Sequence, residues 1–181
     1  MLSIDQRNWL LEVARASFEA HVRQLPPPEI DDAFAVEVRA GAFVSIFRNG
    51  ELRGCLGRLT SASSVTLLIH QLSRAVADSD PRFDTVQPGE LPEITLEISV
   101  LTPRRMIASV TEIELGRHGL IVEEGSRLGL LLPQVPAQHG WDREAFATYA
   151  CIKAGLAGDA WRRGARLFVF EAEVFGDPEP F

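Results

Sequence analysis

The sequence predicts an α+β fold with a mainly antiparallel sheet flanked by helices, with room for a larger and a smaller lobe. Segments with helical periodicity are interspersed along the chain with segments of strand character. The strand segments are joined mostly by tight turns, such as Asn49-Gly50 and the turn at Gly125. Tight turns connect antiparallel neighbours, whereas parallel strands need a crossover, so a doubly wound parallel sheet is disfavoured.

Three helices are predicted from apolar periodicity and capping residues. Ser3 and Gln6 have the spacing of a capping box, and Asp142 can cap the last helix. The predicted ranges are about 4–24, 65–78 and 143–154.

Strands are predicted where apolar residues alternate or run between turn signals. The segment EITLEISVL alternates cleanly, with Ile94, Leu96, Ile98 and Val100 on one face and Glu97 on the more polar one. The predicted strands are 33–39, 42–48, 51–58, 93–101, 118–122, 127–132 and 165–175.

The hairpin around Asn49-Gly50 carries an unusual second strand, which contains Arg-Gly-Cys-Leu-Gly. Asn-Gly suits a two-residue type I′ turn, which fixes the register and places Cys55 opposite Val44. The predicted core face carries Phe43, Phe47, Leu52 and Leu56, and the other face carries Val44, Ile46, Glu51, Arg53 and Cys55. Glycine inside a strand marks a bulge or the close approach of a backbone or ligand, so the glycines flanking Cys55 indicate one of these features at this point of the strand.

Composition limits the classes of function. A chain of 181 residues with 46% hydrophobic and 24% charged residues suits one globular domain over 1–181. The net charge of −7 disfavours general binding to nucleic acids or anionic membranes. Two distant cysteines make neither a metal-binding spacing nor a disulfide framework, and they fit a reducing compartment. With no long apolar run and no signal peptide, we expect a cytoplasmic protein without a metal or cofactor of its own.

Several motifs in order along the chain resemble one family. They are LRGCLG (52–57), DPRF (80–83), ELPEITLEISVL (90–101), GRHGL (116–120), GLLLPQV (129–135), GWD (140–142) and CIKAGL (151–156). Together they resemble the AMMECR-type domain, whose prokaryotic members are called AmmeMemoRadiSam system protein A, over about 7–175. The resemblance implies a compact α+β fold with a larger and a smaller part. It also implies association with a Memo-like protein of the extradiol-dioxygenase superfamily and with a radical SAM protein.

Cys55 is the candidate nucleophile, because a thiolate attacks electrophiles and nearby positive charge favours that form. Arg53 is predicted to supply this charge or to bind an anionic group bidentately. His118 is a candidate proton carrier. The alternatives are a buried structural cysteine for Cys55 and a hydrogen-bonded turn residue for His118.

Substrate binding is assigned to Arg53, Glu97 and Gln134. Glu97 could act as an acid, a base or an ion-pair partner, and Gln134 could orient a polar substrate; a solvated carboxylate and a backbone-satisfying amide are the alternatives. The segment from Asp78 to Arg82 either binds something charged or forms a turn that satisfies itself. Cys151 is interpreted as a core residue, with a role as resolving thiol left open.

Two functions follow. The first is a thiol-dependent enzyme or enzyme subunit with a cleft at the LRGCLG strand. The second is a non-enzymatic scaffold or interaction module in which the same face binds a partner and Cys55 serves packing.

Overall fold

The computed structural model describes residues 2–30, 36 and 38–177. By its internal contacts the chain divides into two compact units. The first runs to Val100 and includes the chain again from Glu173; the second is Leu101–Ala172. Each unit has its own sheet and core, and every strand pair whose register is described is antiparallel. This confirms the predicted α+β class, while the assignment of 1–181 to a single domain stays a prediction.

The first unit is a four-stranded sheet with two helices on one face. Its strands stand in the order β2-β1-β3-β8, and helices α1 and α2 pack against each other. The bounds are α1 Ile4–Val22, β1 Ala42–Arg48, β2 Glu51–Arg58, α2 Val65–Ala75, β3 Ile94–Leu101 and β8 Ala172–Gly176. Their core includes Leu10, Phe18, Val44, Ile46, Leu68, Ile69, Leu96 and Ile98.

Side-chain caps fix the starts of both helices, and the cap at α1 is the predicted one. Ser3 and Gln6 form a reciprocal capping box at α1, and the Ser64 side chain accepts a hydrogen bond at the start of α2. Both helices end earlier than predicted. Gln24 takes a positive φ of 57° after α1, a conformation that ends a helix, and α2 ends at Ala75 rather than 78.

The Asn49-Gly50 hairpin forms as predicted, but its faces are reversed in part. Both turn residues have positive φ, at 52° and 80°. A β-bulge then makes Arg53 an extra residue, so Gly54 pairs with Ile46 and Cys55 pairs with Ser45 instead of Val44.

The predicted core face of this hairpin is wrong for Phe43, Phe47 and Leu52. Val44 and Ile46 are fully buried, whereas Phe43 and Phe47 are only half-buried and Leu52 is exposed. Beyond the bulge, Leu56 pairs with Val44 and packs against the core, as predicted. Cys55 also lies away from the core as predicted, but on the face opposite Val44 and Ile46.

The second unit is a four-stranded sheet in the order β4-β7-β5-β6. Its elements are β4 Arg105–Ile107, β5 Gly119–Glu124, β6 Arg127–Leu131, α3 Val135–His139, α4 Arg143–Lys153 and β7 Arg166–Phe170. Helix α4 packs on β5 and β6 and begins, as predicted, at an Asp142 cap. Phe146, Ala150 and Cys151 of α4 lie in this unit's core.

Two strand predictions need correction or fall outside the description. The predicted strand 165–175 is two strands, β7 and β8, which belong to different sheets. Between them, Glu171 exchanges hydrogen bonds with Thr102 instead of continuing either ladder. The predicted strand 33–39 lies mostly outside the described residues. In the described part of the chain, no helix is long and apolar enough to cross a membrane.

Candidate functional site

The sheet of the first unit carries a row of three polar side chains on the face away from its helices. Ser45 of β1 pairs with Cys55 on one side and with Glu97 of β3 on the other. Directly opposed residues on neighbouring strands share a face, so the three side chains stand side by side. Each is half-buried, and the Ser45 hydroxyl donates to the Cys55 sulfur at 3.3 Å. The thiol is accessible in part and is not sealed among aliphatic neighbours.

Arg53, the bulged residue, is held by an ion pair. Its Nε and Nη2 donate to the two carboxylate oxygens of Glu90 at 2.9 and 3.2 Å, and its Nη1 donates to the Asp84 carbonyl at 2.8 Å. The Arg53 hydrogen bond is the main cause that lowers the pKa of Glu90. Because Arg53 uses all three nitrogens within the protein, its clearest effect is to fix the bulge that turns Cys55 outward.

Asp80 holds the backbone of Cys55. Its Oδ2 accepts the Cys55 N–H at 2.9 Å, and both of its oxygens accept hydrogen bonds from Arg82. Asp80 is buried, yet its pKa lies well below the ordinary range, chiefly because of the Arg82 hydrogen bond; burial opposes this shift and backbone donors add to it. The carboxylate is thus a charged, fully engaged anchor beside β2, an edge strand of its sheet.

The guanidinium that interacts electrostatically with Cys55 is that of Arg82. The hydrogen bond to Asp80 is the largest cause of the raised pKa of Arg82; burial opposes the shift, the Asp80 charge adds to it, and the interaction with Cys55 is the smallest contribution. The Arg82 side chain is 57% exposed, against 17% for Arg53. Sequence reasoning assigned the neighbouring charge to Arg53 because only local spacing was visible; the DPRF motif was the signal that pointed to Arg82.

Glu97 lies at the other end of the row. Burial raises its pKa, so this carboxyl holds its proton more strongly than an exposed glutamate does. It also lines a cleft of about 550 Å³ beside the hairpin turn. The cleft is lined by Phe47, Asn49, Gly50, Thr95, Leu96, Glu97, Gly176 and Asp177.

The glycines on both sides of Cys55 are explained by packing within the chain. A Cβ on Gly57 would lie 2.1 Å from a ring carbon of Phe43, so this ring lies flat over the glycine. A Cβ on Gly54 would lie 3.1 Å from the carbonyl oxygen of Val76 and 3.2 Å from Ile46. These glycines therefore mark close approach of the protein itself, which removes them as an argument for a ligand.

The other predicted residues lie in the second unit. His118 is buried, and its ring Nδ1 accepts the Glu114 backbone N–H at 3.0 Å. The backbone N–H of His118 donates to the Glu114 carbonyl at 2.8 Å. Gln134 is exposed and precedes α3. Cys151 is fully buried, as predicted for a core residue, and burial is the main cause that raises its pKa. The proposed roles of His118 and Gln134 stay predictions.

Within the residues that the structure describes, no group of three or more His, Cys, Asp or Glu side chains is arranged to hold a metal ion.

Comparison with known proteins defines the class. The sequence profile of the AMMECR1 family matches residues 11–175, so this chain belongs to the AMMECR1 family. A protein of Methanopyrus kandleri is 35% identical over 99% of this chain and 92% of its own. A protein of Thermococcus kodakarensis is 40% identical over 95% of this chain and 90% of its own.

A solved structure agrees with this assignment. The crystal structure of an uncharacterized protein from Pyrococcus horikoshii has a TM-score of 0.87 and 33% identity, covering 99% of this chain and 95% of that chain. The family predicted from the motifs and the α+β fold are both confirmed. The reaction has to be argued from the site itself.

Proposed function

We propose that this protein is a thiol-dependent enzyme or enzyme subunit whose nucleophile is Cys55. The observation that carries the proposal is the row of Cys55, Ser45 and Glu97 on the open face of the sheet, with the Ser45 hydroxyl donating to the sulfur at 3.3 Å. The hydroxyl orients the sulfur, and Asp80 holds the Arg82 guanidinium beside the backbone of Cys55.

Each residue of the row has a defined part in a nucleophilic reaction. The Cys55 sulfur forms a bond to an electrophilic carbon, and the leaving group departs from that carbon with the bonding electrons. Glu97 is the acid on the same face, because burial raises its pKa, and it delivers a proton to the leaving group. Ser45 stands between them and orients the sulfur. Arg53 is a positioning residue that acts through the bulge.

An acyl-transfer probe tests this proposal. With p-nitrophenyl acetate, the thiolate attacks the ester carbonyl, a thioester forms, and p-nitrophenolate is released and measured by its absorbance. We expect a burst of p-nitrophenolate in the wild type, with an acetyl group on Cys55 detected by intact mass and by peptide mapping. We expect no burst in Cys55→Ala and a slower burst in Ser45→Ala. Cys151, which is fully buried, serves as the internal control and stays unmodified. Acetylation of Cys55 at the rate of free cysteine would reject the proposal.

We further propose, from the family resemblance, that the protein acts with a Memo-like protein and a radical SAM protein in the cytoplasm. The apolar side chains around the row support a docking role for this face. Phe43 and Phe47 are half-buried, and Leu52 is 40% exposed at the strand edge.

The non-enzymatic scaffold is the second candidate, and the same apolar rim favours it. Co-purification with the two partners separates the candidates. If Leu52→Asp breaks the complex while Cys55→Ser keeps full biological function, the protein is a scaffold. If Cys55→Ser keeps the complex and loses function, the thiol has a chemical role.

A further inference from the structure

We propose that Arg82, held in place by Asp80, is an anion-binding residue beside Cys55, so that the ligand of this site carries a carboxylate or a phosphate next to its reactive atom. The proposal rests on the proposed function only for the statement that the reactive atom meets the thiol. The anion site itself stands on the geometry around Asp80.

Asp80 joins the guanidinium to the nucleophile's backbone. The same oxygen, Oδ2, accepts the Cys55 N–H at 2.9 Å and Arg82 Nη2 at 2.7 Å. The other oxygen accepts Arg82 Nε at 3.0 Å and the Arg82 backbone N–H at 3.1 Å. The Nε and Nη2 atoms of Arg82 therefore fix its guanidinium next to Cys55, so this long side chain is already ordered before a ligand binds.

The other edge of the guanidinium is available. Among the described residues, no acceptor binds Arg82 Nη1, and the side chain is 57% exposed. Asp80 is only 4% exposed, so an incoming anion meets the guanidinium and not the carboxylate that holds it. The Phe83 ring lies 5.3 Å from the guanidinium carbon and restricts it further.

Arg53 cannot serve the same purpose without rearrangement. Its three guanidinium nitrogens already donate to Glu90 and to the Asp84 carbonyl, and the side chain is 17% exposed. A charge-assisted hydrogen bond to an anion needs a free donor that solvent can reach, and at this end of β2 Arg82 meets that condition.

A pair of alkylating reagents of nearly the same size measures whether the site prefers an anionic ligand to a neutral one. Iodoacetate carries a carboxylate next to its reactive carbon, whereas iodoacetamide is neutral. In both reactions the Cys55 thiolate attacks the CH₂ carbon, a C–S bond forms, the C–I bond breaks, and iodide leaves with the bonding pair. The ratio of the two rate constants at Cys55 reports recognition of the anion, because the reactivity of the thiolate enters both.

The expected result is a ratio that depends on Arg82. Arg82→Gln lowers the ratio of the iodoacetate to the iodoacetamide rate constant by roughly threefold to tenfold, the size expected for one exposed charge-assisted contact. Arg82→Lys restores part of it. Arg58→Gln is the matched control, because it removes one positive charge from an exposed residue of β2, the strand that carries Cys55, and leaves the ratio unchanged. Inorganic phosphate and acetate, compared at equal ionic strength, show which anion protects Cys55 from iodoacetate.

The outcomes separate the two proposals. A ratio in Arg82→Gln equal to that of wild type, or an equal fall in Arg58→Gln, overturns the anion site even if p-nitrophenyl acetate acylates Cys55. A ratio that depends on Arg82 together with an ordinary acylation rate supports the anion site and rejects the nucleophile. Circular dichroism of Arg82→Gln and Arg82→Lys confirms that both variants are folded.

Discussion

Asp80 accepts the backbone N–H of Cys55 at 2.9 Å. Cys55 lies in β2, an edge strand, and an edge strand presents outward N–H groups that need partners. The buried carboxylate of Asp80 accepts the Cys55 N–H, and both of its oxygens bind the Arg82 guanidinium. The loop that follows α2 therefore fixes both the position of the candidate nucleophile and the charge beside it.

Replacing Asp80 by Asn removes this anchor's charge and presents an amide to donors that need an acceptor. We expect the free energy of unfolding, measured with urea at neutral pH, to fall by about 1–3 kcal/mol, since a buried N–H loses a strong partner. The folded-state pKa of Asp80 is lowered, so its stabilising contribution is complete above the unfolded value of about 4 and is lost as the pH falls below it. The difference in the free energy of unfolding between wild type and Asp80→Asn should therefore narrow as the pH falls from about 4 to about 2. A difference that stays constant over this range would contradict the assignment.

The contribution of Glu97 to stability depends on pH in the opposite direction to that of Asp80. Its pKa is raised by burial, so the folded state binds the proton more strongly, and wild type loses stability as the pH rises above the unfolded value of about 4.3. Glu97→Gln lacks this loss. We expect the variant to gain in relative stability from about pH 4 upward and to be at least as stable as wild type at neutral pH, as measured by thermal unfolding. A variant that is clearly less stable at neutral pH would show that the charged carboxylate is stabilised by contacts.

Gly57 lies beneath the Phe43 ring, and a methyl group there has no room. We expect Gly57→Ala to lower the free energy of unfolding by about 1–3 kcal/mol, because the ring must leave its position. Gly89→Ala is the matched control, since a Cβ at Gly89 meets nothing within 4 Å, and its effect should stay within about 0.5 kcal/mol. Phe43→Leu combined with Gly57→Ala should recover part of the loss; additive losses would show that the ring and the glycine are independent.

The ion pair of Arg53 and Glu90 should couple more strongly than an exposed pair. Both side chains are less than one-fifth exposed and the contact is bidentate. In a double-mutant cycle with methionine at each position, we expect a coupling of about 1 kcal/mol or more. The pair Arg163 and Asp159, both 61% exposed, should give less than about 0.5 kcal/mol in the same urea measurements. Equal couplings would remove the argument that the Glu90 contact fixes the bulge.

Local signals predicted the turns and caps, while tertiary contacts decided what the sequence could not show. Asn49-Gly50 specifies its turn by backbone sterics, and Ser3 and Asp142 specify helix starts by nearby hydrogen bonds. The bulged Arg53 binds a carboxylate from Glu90, far along the chain, and no local signal marks the bulge, so counting residues from the turn gave the wrong partner for Cys55. The single-residue break at Glu171 has no local breaker residue, and the two strands around it were predicted as one.

The candidate site shows the same division. Strand alternation placed Glu97 on the face away from the core, because buried and half-buried residues alternate from Ile94 to Val100 of β3. Asp80 and Arg82 reach Cys55 from a loop, and loops have no periodic pattern that predicts their path. The sequence therefore indicated a turn or a binding segment at these residues but not their contact with Cys55. Ser45, half-buried in the middle of β1, became a member of the site only once the bulge was known.

The reactivity of Cys55 toward iodoacetamide tests the central claim most directly. The second-order rate constant at Cys55, followed by peptide mass spectrometry at neutral pH, is compared with free cysteine and with the Ser45→Ala variant. We expect Cys55 to react at least roughly tenfold faster than free cysteine, and Ser45→Ala to be slower than wild type, because the Ser45 hydroxyl orients the sulfur and Asp80 holds a guanidinium beside the Cys55 backbone. A Cys55 that reacts no faster than free cysteine would contradict the account.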